Sequence, residues 1–481
     1  MGGWVDTTCN ADGIVYEHGP RTIRPYGPSG ANTLALVQEL GLESKVRPII
    51  AGHATTKNRL IYVDGKLYKL PSSVLSLFRK LDPFKLPLFC AGIKDLVTPK
   101  QACDDDSMFN FVERRFGPDI AKFGIGNEGK IAYTIVNVLY SKYIYIIITM
   151  ITIIFAADPM VRGIYAGDAK QLSANALSIP LLDMEQSDGG VLKSVLKRRL
   201  GLSELKTEPS PFEDNEDCEL VRRARAEKWA IWTLEGGLET LIAALKQNLL
   251  DKGVDIFVDM EIHQVKCQNS KQVTFIGDKC EYNFNKAFMA IPAESAAKLF
   301  PTTKEGQNLH TLLSCIPYVD VAVINVEYNG KIHLHTGEAF GLLVPSSQKD
   351  IPILGIIFDT CAFPQKDENG CEKTVFTVMM GGAWFETQFQ DNPDPKNLEN
   401  IALEQIRTIL KIDESPTRVL TKIHRKCIAQ YTVGHRERVR LIREYIKEND
   451  MNISIIGSAY DGVGINDAIL SSRQQVHDYN L

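Results

Sequence analysis

Three separated glycine clusters constrain the fold of this chain more than any other feature. Gly19-Pro20-Arg21, Gly236-Gly237 and the run from Gly457 to Asp467 each mark a tight turn, and the last follows the apolar stretch Ile453–Ile456. Glycine lets the backbone approach a ring or a phosphate closely, and N–H groups at a helix start can bind an anion. A single glycine turn of this kind usually indicates no binding site. Together, the three predict a single site at which they meet in space.

The segments between these turns alternate between strand-like and helix-like patterns. Thr33–Leu42 has the leucine spacing of a helix, whereas Arg59–Tyr68 has two strand-like runs around Asp64-Gly65, which indicates a hairpin. The alternation predicts an α/β fold with an added mixed sheet. Further strands are predicted at 254–258, 287–292, 318–327, 352–358, 374–382 and 453–457, and further helices at 219–229, 238–249 and 401–410.

Composition excludes some classes of function. The 481 residues carry a formal net charge of −5, which gives no electrostatic reason to expect nucleic-acid binding. The ten cysteines include no Cys-x-x-Cys pair and are expected to be free thiols in a reducing compartment. His333-x-His335 lacks cysteine or acidic partners and is interpreted as strand surface. No metal site is therefore predicted.

An apolar stretch with basic flanks leaves two interpretations open. Val74–Leu96 mixes leucine and phenylalanine with Arg79, Lys80 and further lysines. Such a segment can lie in the plane of a membrane interface. A core-facing helical segment with a solvated edge explains the same pattern equally well.

A second apolar stretch, Gly124–Phe155, is rich in isoleucine and tyrosine and is long enough to span a bilayer. Its residue types are those of A/T-rich codons, so a retained intron or gene-model artefact is favoured over a transmembrane helix or a core strand. Within it, Gly124–Gly129 matches Gly-x-Gly-x-x-Gly, but it follows the helical Pro118–Phe123 and precedes a β-like run. We reject it as a nucleotide site.

Longer sequence motifs around the turns resemble those of a known family. From Gly2 to near Gln475, outside Gly124–Phe155, the chain resembles the mitochondrial, eukaryotic type of protoporphyrinogen oxidase, within the flavin-dependent amine-oxidase superfamily. The resemblance implies oxidation of protoporphyrinogen IX to protoporphyrin IX in haem synthesis, with FAD passing electrons to O2 and hydrogen peroxide released. The motifs are Gly19–Pro25, Asn58–Val63, Arg162–Asp168, Leu343–Ser347, Gln430–His435 and Tyr460–Asp467.

The resemblance also implies three domains. A Rossmann-like FAD-binding domain, truncated at its N-terminus, is expected from residues 1–57, 219–295 and 425–481. A mixed-sheet substrate-binding domain is expected from 58–73 and 296–424, and a helical membrane-associating domain from 74–218, including the suspect insertion at 124–155.

Positions that match the family's motifs imply the cofactor contacts. The Ile262 backbone is expected at the adenine end of FAD, and Val463–Ile465 beside its isoalloxazine ring. Gly464 stands where alanine is usual in the family, which is expected to loosen this turn. The full set of expected FAD contacts is Trp4, Gly19, Pro20, Arg21, Thr22, Ile262, Val463, Gly464 and Ile465.

The substrate contacts follow in the same way. Arg59 matches the family arginine expected to hold a propionate, a task that suits a guanidinium because it can bind a carboxylate bidentately. Leu342, where a polar residue is common, is expected to tune the pocket. No acid–base pair is expected, because the flavin carries the chemistry. The full set of expected substrate contacts is Arg59, Phe340, Gly341, Leu343 and Met379.

The N-terminus leads to a further expectation. Met1 stands directly before Gly2-Gly3-Trp4, which resembles the end of a flavin motif that begins, in the family, with a strand and a pyrophosphate-binding loop. We expect the chain as written to bind flavin weakly or not at all. The alternatives are a catalytically inactive truncated relative, or another flavin amine oxidase or desaturase, which would not predict Arg59 or the Arg162–Asp168 motif.

The family also implies partners and a location. A homodimer is expected, attached peripherally to the inner mitochondrial membrane on the intermembrane-space side. The substrates are expected to be protoporphyrinogen IX and O2, with no nucleic acid.

Overall fold

The computed structural model describes residues 2–70, 89–123, 157–177, 181–200, 202, 217–268, 272–278, 281–300 and 304–480. The described strands are β1 (Thr7–Cys9), β2 (Val15–Glu17), β3 (Val46–Ile50), β4 (Leu60–Val63), β5 (Lys66–Lys69), β6 (Trp229–Leu234), β7 (Ile262–Gln268), β8 (Gln272–Gly277), β9 (Glu281–Phe284), β10 (Ala287–Met289), β11 (Tyr318–Asn329), β12 (Gly341–Leu343), β13 (Ile353–Phe358), β14 (Gln365–Lys366), β15 (Glu372–Gly382), β16 (Arg418–Ala429) and β17 (Ile453–Ile455).

Helices connect these strands and form a separate helical region between β5 and β6. The described α-helices are α1 (Gly27–Glu39), α2 (Ala54–Lys57), α3 (Phe89–Val97), α4 (Met108–Phe116), α5 (Pro118–Phe123), α6 (Ala157–Tyr165), α7 (Leu181–Asp188), α8 (Val191–Arg199), α9 (Glu219–Ala226), α10 (Glu239–Asp251), α11 (Ala293–Lys298), α12 (Lys304–Ser314), α13 (Asp359–Ala362), α14 (Phe385–Phe389), α15 (Pro395–Gln405), α16 (His435–Glu448) and α17 (Ile465–Asn480).

A large mixed sheet dominates the described part of the chain. Its eight described strands follow the order β16-β11-β15-β13-β12-β4-β5, with β14 paired to β15. All pairs are antiparallel except β4 with β12. The β4–β5 hairpin turns at Asp64 and Gly65, both with positive φ, as a two-residue turn between twisted strands requires. The hairpin prediction is therefore confirmed.

One face of this sheet is fully buried. Leu342, Ile356, Val378 and Ile324 point into an apolar cluster that is closed by helices α14 and α15. The four residues share one face because the strand register places them opposite one another across β12, β13, β15 and β11. The opposite face therefore carries the alternate residues of each strand.

The remaining described strands form small sheets around the glycine turns. β10 and β17 are parallel, β3 and β6 are antiparallel, and β7, β8 and β9 form an antiparallel ribbon. Helices α1 and α17 pack together beside β6, where Leu34, Trp232 and Leu241 are buried and Ile465 and Ile469 pack against them. Helices and a mixed sheet thus alternate, as the α/β prediction requires.

Two predicted strands are wrong. Residues 254–258 form no strand, and Val254, Phe257 and Val258 are exposed. Apolar content made this run strand-like, but a strand also needs a hydrogen-bonding neighbour, and none of the described strands pairs with it. His333 and His335 lie outside the described strands, so their interpretation as strand surface is also wrong.

Some helix boundaries also differ from the predictions. Helix α1 starts at Gly27, well before Thr33, with Pro28 in its first turn, where proline is tolerated. The charged helix at 219–229 ends at Ala226, and Trp229 already begins β6. The helix predicted at 401–410 is longer, because α15 begins at Pro395 and continues into a π-helical turn.

Predictions for the two apolar stretches fall largely outside the described residues. Residues 124–155, with the rejected Gly124–Gly129 match, and residues 74–88 are not among them. The C-terminal part of Val74–Leu96 lies in helix α3. In the described part of the chain, no helix combines the length and apolarity that crossing a membrane demands.

Candidate functional site

The three glycine clusters meet, as the sequence predicts. Gly237, at the start of α10, lies so close to Thr7 and Glu17 that a Cβ on it would collide with the Thr7 side chain. The Glu17 carboxylate accepts the Leu238 N–H at 2.7 Å and the Thr7 hydroxyl at 2.7 Å. Because all lone pairs of a buried carboxylate need donors, these bonds fix the α10 turn to the N-terminal segment.

The Glu17–Thr22 turn is packed against the N-terminal segment as well. Gly19 is buried, and a Cβ there would collide with the Trp4 carbonyl oxygen. Pro20 and Thr22, on either side of Arg21, are half-buried. Only glycine allows this close backbone contact, so the predicted cofactor residues Trp4 and Gly19 lie side by side.

Arg21 is held by the protein itself. Its guanidinium forms a 2.5 Å ion pair with Asp359, and Asp359 also accepts the Thr377 hydroxyl at 2.7 Å. Asn325 donates to Thr377 at 2.8 Å and to the Glu17 carbonyl at 3.1 Å. This network fixes the turn to the large sheet. The cation of Arg21 is therefore compensated inside the fold, and its predicted contact with FAD stays a prediction.

The third turn, residues 457–464, joins β17 to α17. Val463 packs on the same apolar cluster as Trp4 and Met379, and Ile465 packs with Val5 on another. The Asn466 amide donates to the Arg24 carbonyl at 2.9 Å. The turn predicted to face the isoalloxazine ring is thus beside the turn that contains Gly19.

Glycine is required at one position of this turn and not at another. Gly462 has φ 151°, and a Cβ there would collide with the Asp467 side chain. A Cβ at Gly464 would meet only the Asp467 carboxylate, at 3.1 Å. Burial raises the pKa of Asp467, against the lowering effects of Ser29 and Arg24.

The large sheet offers an apolar floor opposite these turns. In β12, β13 and β15, Leu343 pairs with Gly355 and Gly355 pairs with Met379, so the three lie in one row on one face. Leu343 and Met379 are half-buried, whereas Val321 and Val323 on the same face are fully buried. Gly341 lies on that face of β12 too. The predicted substrate residues Gly341, Leu343 and Met379 thus share one face of the sheet and keep part of their surface exposed.

Gly355 is a floor residue that the sequence reasoning missed. A Cβ on Gly355 would collide with the Leu342 carbonyl oxygen and press on Leu343 at 3.3 Å. Glycine at this position therefore lets β12 and β13 pack closely between Leu343 and Met379. A glycine inside the apolar run Ile351–Phe358 is a signal for such a close approach.

Leu342 belongs to the other face. It is buried with Tyr62 and Ile356 under α14 and α15. The expectation that Leu342 tunes the pocket is therefore wrong, because adjacent residues of a strand point to opposite faces.

Arg59 lies at the edge of the floor. It immediately precedes β4, whose Leu60 pairs with Leu342, and it is half-buried. The preceding residue, Asn58, accepts the Phe340 N–H through its carbonyl at 3.3 Å. Arg59 is thus one strand away from Gly341, at the edge of the sheet face that carries Leu343.

Two predicted residues stand apart from this arrangement. Phe340 packs against Ile49, Ile231 and Phe363, between the large sheet and the β3–β6 pair. Ile262 begins β7 and packs against the cluster under β10 and β17. Their assigned roles stay predictions.

Helix α6 forms a side wall of the floor. A Cβ on Gly163 would collide with the Leu343 side chain, so the helix lies directly on β12. Arg162 donates to the Val344 and Pro345 carbonyls at 3.0 and 2.7 Å and stacks on Trp384 at 4.7 Å. Burial lowers the pKa of Arg162 to about 10. The sequence Arg162–Asp168 carries part of the family resemblance, but it does not predict that Arg162 bonds to the carbonyls after Leu343.

The residues at these turns fit a flavin ring. Trp4, Met379 and Val463 present half-buried apolar surface around one cluster, as a ring would require, and the close contacts of Gly19 with Trp4 and of Gly462 with Asp467 hold the two turns beside it. In the described ranges, no apolar strand leads through Gly-x-Gly-x-x-Gly into a helix, so no pyrophosphate contacts are assigned. No cluster of three or more His, Cys, Asp and Glu suited to a metal occurs among the described residues either.

Comparison with known proteins extends the likeness over the whole chain. The family model described as Flavin containing amine oxidoreductase matches residues 1–478. The protoporphyrinogen oxidases of Homo sapiens and Bos taurus are each 33% identical to this chain over 98% of it and 90% of the relative. The coproporphyrinogen III oxidase of Bacillus subtilis (strain 168) is 23% identical over 99% of this chain and 89% of the relative.

Solved structures share the fold. A crystal structure of a protein from Exiguobacterium sp. 255-15 superposes with a TM-score of 0.69 at 18% identity, covering 100% of this chain and 90% of that one. The cyclohexylamine oxidase of Brevibacterium oxydans IH-35A gives 0.54 at 11% identity, covering 100% and 92%. At such identities the likeness shows the fold alone, and it confirms the predicted fold class.

Proposed function

This chain belongs to the flavin containing amine oxidoreductase family, and we propose that it oxidises protoporphyrinogen IX to protoporphyrin IX, with FAD as cofactor and O2 as electron acceptor. The observation that carries the proposal is the likeness to the human and bovine protoporphyrinogen oxidases, which extends over nearly the whole chain. The geometry supports it, because an apolar floor with a cation at its edge faces the turns that fit a flavin.

Different side chains contact the substrate and the flavin. Leu343 and Met379, on either side of the buried Gly355, offer apolar surface that suits a macrocycle and excludes water from one of its faces. The Arg59 guanidinium binds a propionate and thereby fixes the orientation of the ring on this floor. Val463 and Trp4 pack on the same apolar cluster as Met379 and would contact the flavin beside this floor.

When bound, FAD supplies the redox chemistry: it accepts hydrogen from the macrocycle and reduces O2 to hydrogen peroxide. The described residues near the floor are suited to holding and desolvating the substrate. No side chain is assigned the role of general acid or base.

The proposal is tested by titrating the purified chain with FAD and then supplying protoporphyrinogen IX in the dark. We expect porphyrin fluorescence and hydrogen peroxide to appear together, and Arg59→Met to raise KM more than it lowers kcat. Coproporphyrinogen III and a primary amine serve as competing substrates. Faster turnover of the amine would favour an amine oxidase, and a chain that takes up no flavin would favour an inactive relative.

We also propose peripheral attachment to a membrane surface, through an apolar patch on α3 and α8. The two helices pack against each other at Gly92 and Leu192. The patch consists of the exposed residues Ile93, Val97, Leu196, Leu200 and Leu202, of which Val97 is 73% and Leu202 is 71% exposed. Lys94 and Lys197 flank it, which suits an interface with anionic lipid headgroups.

A vesicle flotation assay tests this attachment. The double variant Leu200→Asp, Leu202→Asp should no longer float with vesicles that contain anionic lipid. Leu249→Asp, at an exposed leucine of α10, is the matched control and should still float. Equal flotation of the two variants would contradict the assignment of the patch.

Family membership further supports a mitochondrial location, and we extend this to the intermembrane-space side of the inner membrane and to a homodimer. Light scattering of the purified chain tests the dimer. Protease protection of the chain in intact mitochondria and in mitoplasts tests the side.

A further inference from the structure

An aromatic pair lies directly behind the turn that fits the flavin ring. Tyr431 follows β16, and His435 is the first residue of α16. Their rings stack at 3.8 Å between centroids and 11° between planes. Both are almost fully buried, with 3% of Tyr431 and 1% of His435 exposed.

This pair binds three main-chain groups of the turn. The Tyr431 hydroxyl donates to the Ser458 carbonyl at 2.8 Å and accepts the Gly462 N–H at 2.8 Å. His435 Nε2 lies 3.0 Å from the Tyr460 carbonyl oxygen. A carbonyl can only accept, so His435 carries its proton on Nε2. The pair therefore spans the turn from Ser458 to Gly462.

The pair is itself fixed from the helical region. Ser173 N–H donates to the Tyr431 carbonyl at 2.8 Å, and Gly434 N–H donates to the Asp105 carboxylate at 2.7 Å. The same carboxylate accepts the Ser173 hydroxyl at 2.7 Å. Movement of the rings would therefore break bonds on both sides of them.

Packing alone does not hold this turn. A cavity of about 340 Å³ lies against it, lined by Leu177, Tyr431, His435, Gly462 and Val463 among others. On the side that faces the cavity, the turn has no neighbouring atoms to pack against, so apolar contact cannot fix it there. On the cavity side, the hydrogen bond that the Gly462 N–H donates to the Tyr431 hydroxyl restrains Gly462.

The pair does not titrate near neutral pH. Burial raises the pKa of Tyr431 far above its usual range and lowers the pKa of His435 to about 4. Both rings are thus neutral over the range in which the enzyme is expected to work. The pair can act as a fixed support and not as a switch.

We propose that Tyr431 and His435 are positioning residues that preform the 457–464 turn, so that Val463 and Gly464 are in place before a flavin binds. This rests on the proposed function, because the turn matters for chemistry only if a flavin faces it. Tyr431 contributes more to holding the turn than His435, because its hydroxyl bonds to two main-chain groups and His435 bonds to one.

Hydrogen exchange of the flavin-free chain tests the proposal without any turnover. Tyr431→Phe keeps the ring stack and removes both hydroxyl bonds. We expect amide exchange of Gly462 and its neighbours to rise at least ~10-fold, since each lost buried bond weakens the closed state by about that factor. Exchange in β11 and β15 should not change.

Two matched controls separate this role from simple core filling. Tyr460→Phe removes a buried hydroxyl that has no partner among the described residues, in the same turn. Tyr318→Phe removes a hydroxyl that accepts the Ala293 N–H at 2.7 Å, away from the turn. Neither should speed exchange at Gly462. Equal acceleration in Tyr431→Phe and Tyr460→Phe would overturn the proposal.

A second measurement keeps the proposal testable if Tyr431→Phe loses its fold. In the unmodified chain the Gly462 amide should exchange far more slowly than exposed amides, and exchange at the solvent-exposed rate would overturn the proposal. FAD titration then tests whether order in the turn favours flavin binding. Tyr431→Phe should raise Kd for FAD about tenfold. The exchange result stands even if no porphyrin is formed, so failure of the proposed function is distinguishable from failure of this inference.

Discussion

Two buried guanidinium groups are held in different ways. Arg115, in α4, has no exposed surface and bonds to two carboxylates, those of Asp95 and Glu185, as well as to three carbonyl oxygens. Arg162, in α6, is 2% exposed and has two carbonyl acceptors and the face of Trp384. Its Nε finds no acceptor in the described part of the chain.

The difference indicates what each arginine does. Arg115 is fully compensated and ties together α3, α4 and α7, so its role is structural. The Arg162 cation is compensated by two carbonyl dipoles, the Trp384 ring and the charge of Asp158, and it holds the chain segment that directly follows Leu343 on the floor. An incompletely compensated cation beside a predicted site is a sign of function.

The largest expected effect is at the compensated arginine. Asp95→Asn leaves the buried Arg115 charge with one carboxylate, and loss of a partner from a buried pair costs about 3–5 kcal/mol of unfolding free energy. Urea unfolding measures this. Asp183→Asn, which removes the exposed partner of Arg436, is the control and should cost less than about 1 kcal/mol. Similar losses in the two variants would contradict the structural role of Arg115.

A smaller loss of stability with a specific effect on activity is expected at the other arginine. Arg162→Met keeps an apolar stem on Trp384 but leaves the Val344 carbonyl without its Arg162 donor and the Pro345 carbonyl with the Gln348 N–H alone, at a cost of about 1–3 kcal/mol. Because these carbonyls follow Leu343, KM for the porphyrinogen should rise more than kcat falls.

The control for this variant is Arg425→Met, at an arginine that also stacks on a ring, Phe385, but is exposed. It should leave KM unchanged. If Arg162→Met lowers stability without any change in KM, Arg162 is structural like Arg115, and the comparison between them fails.

The two regions should also respond to pH with opposite signs. Burial alone would raise the pKa of Glu185, but Arg114 and Arg115 lower it overall, so its stabilisation is present above about 4.5 and is lost as pH falls. Burial raises the pKa of Asp158 despite Ser346 and Arg162, so its stabilisation is present below about 3.8 and is lost as pH rises through the raised value.

Unfolding free energies between about pH 3 and pH 6 test these signs, with each proton contributing at most about 1.4 kcal/mol per pH unit. Relative to the unmodified chain, Glu185→Gln should become less stable as pH rises, and Asp158→Asn should become more stable. Parallel curves for the two variants would show that the carboxylates lie in similar environments.

Sequence patterns located the turns but not the contacts between them. The Asp64-Gly65 hairpin and the strand, turn and helix from Ile453 onward depend on neighbouring residues, so their patterns sufficed. Residues 254–258 and Leu342 were assigned wrongly, because a strand needs a partner and a face depends on register, which shifts by one residue at a bulge. The close approach of Gly355 to Leu342 depends on strand pairing, and the Arg162 contacts join segments far apart in sequence.

The smallest effect concerns the ring beneath Arg162. If the face of Trp384 adds to the attraction of Asp158, it should stabilise the buried cation by about 0.5–2 kcal/mol. A double-mutant cycle of Trp384→Leu with Arg162→Met isolates this coupling from the loss of apolar packing that Trp384→Leu causes by itself. The same cycle at Phe385 and Arg425 should give less, because water and Asp320 already compensate that exposed arginine. Coupling at Trp384 no larger than at Phe385 would mean that the two carbonyls and the Asp158 charge stabilise Arg162 without help from the ring.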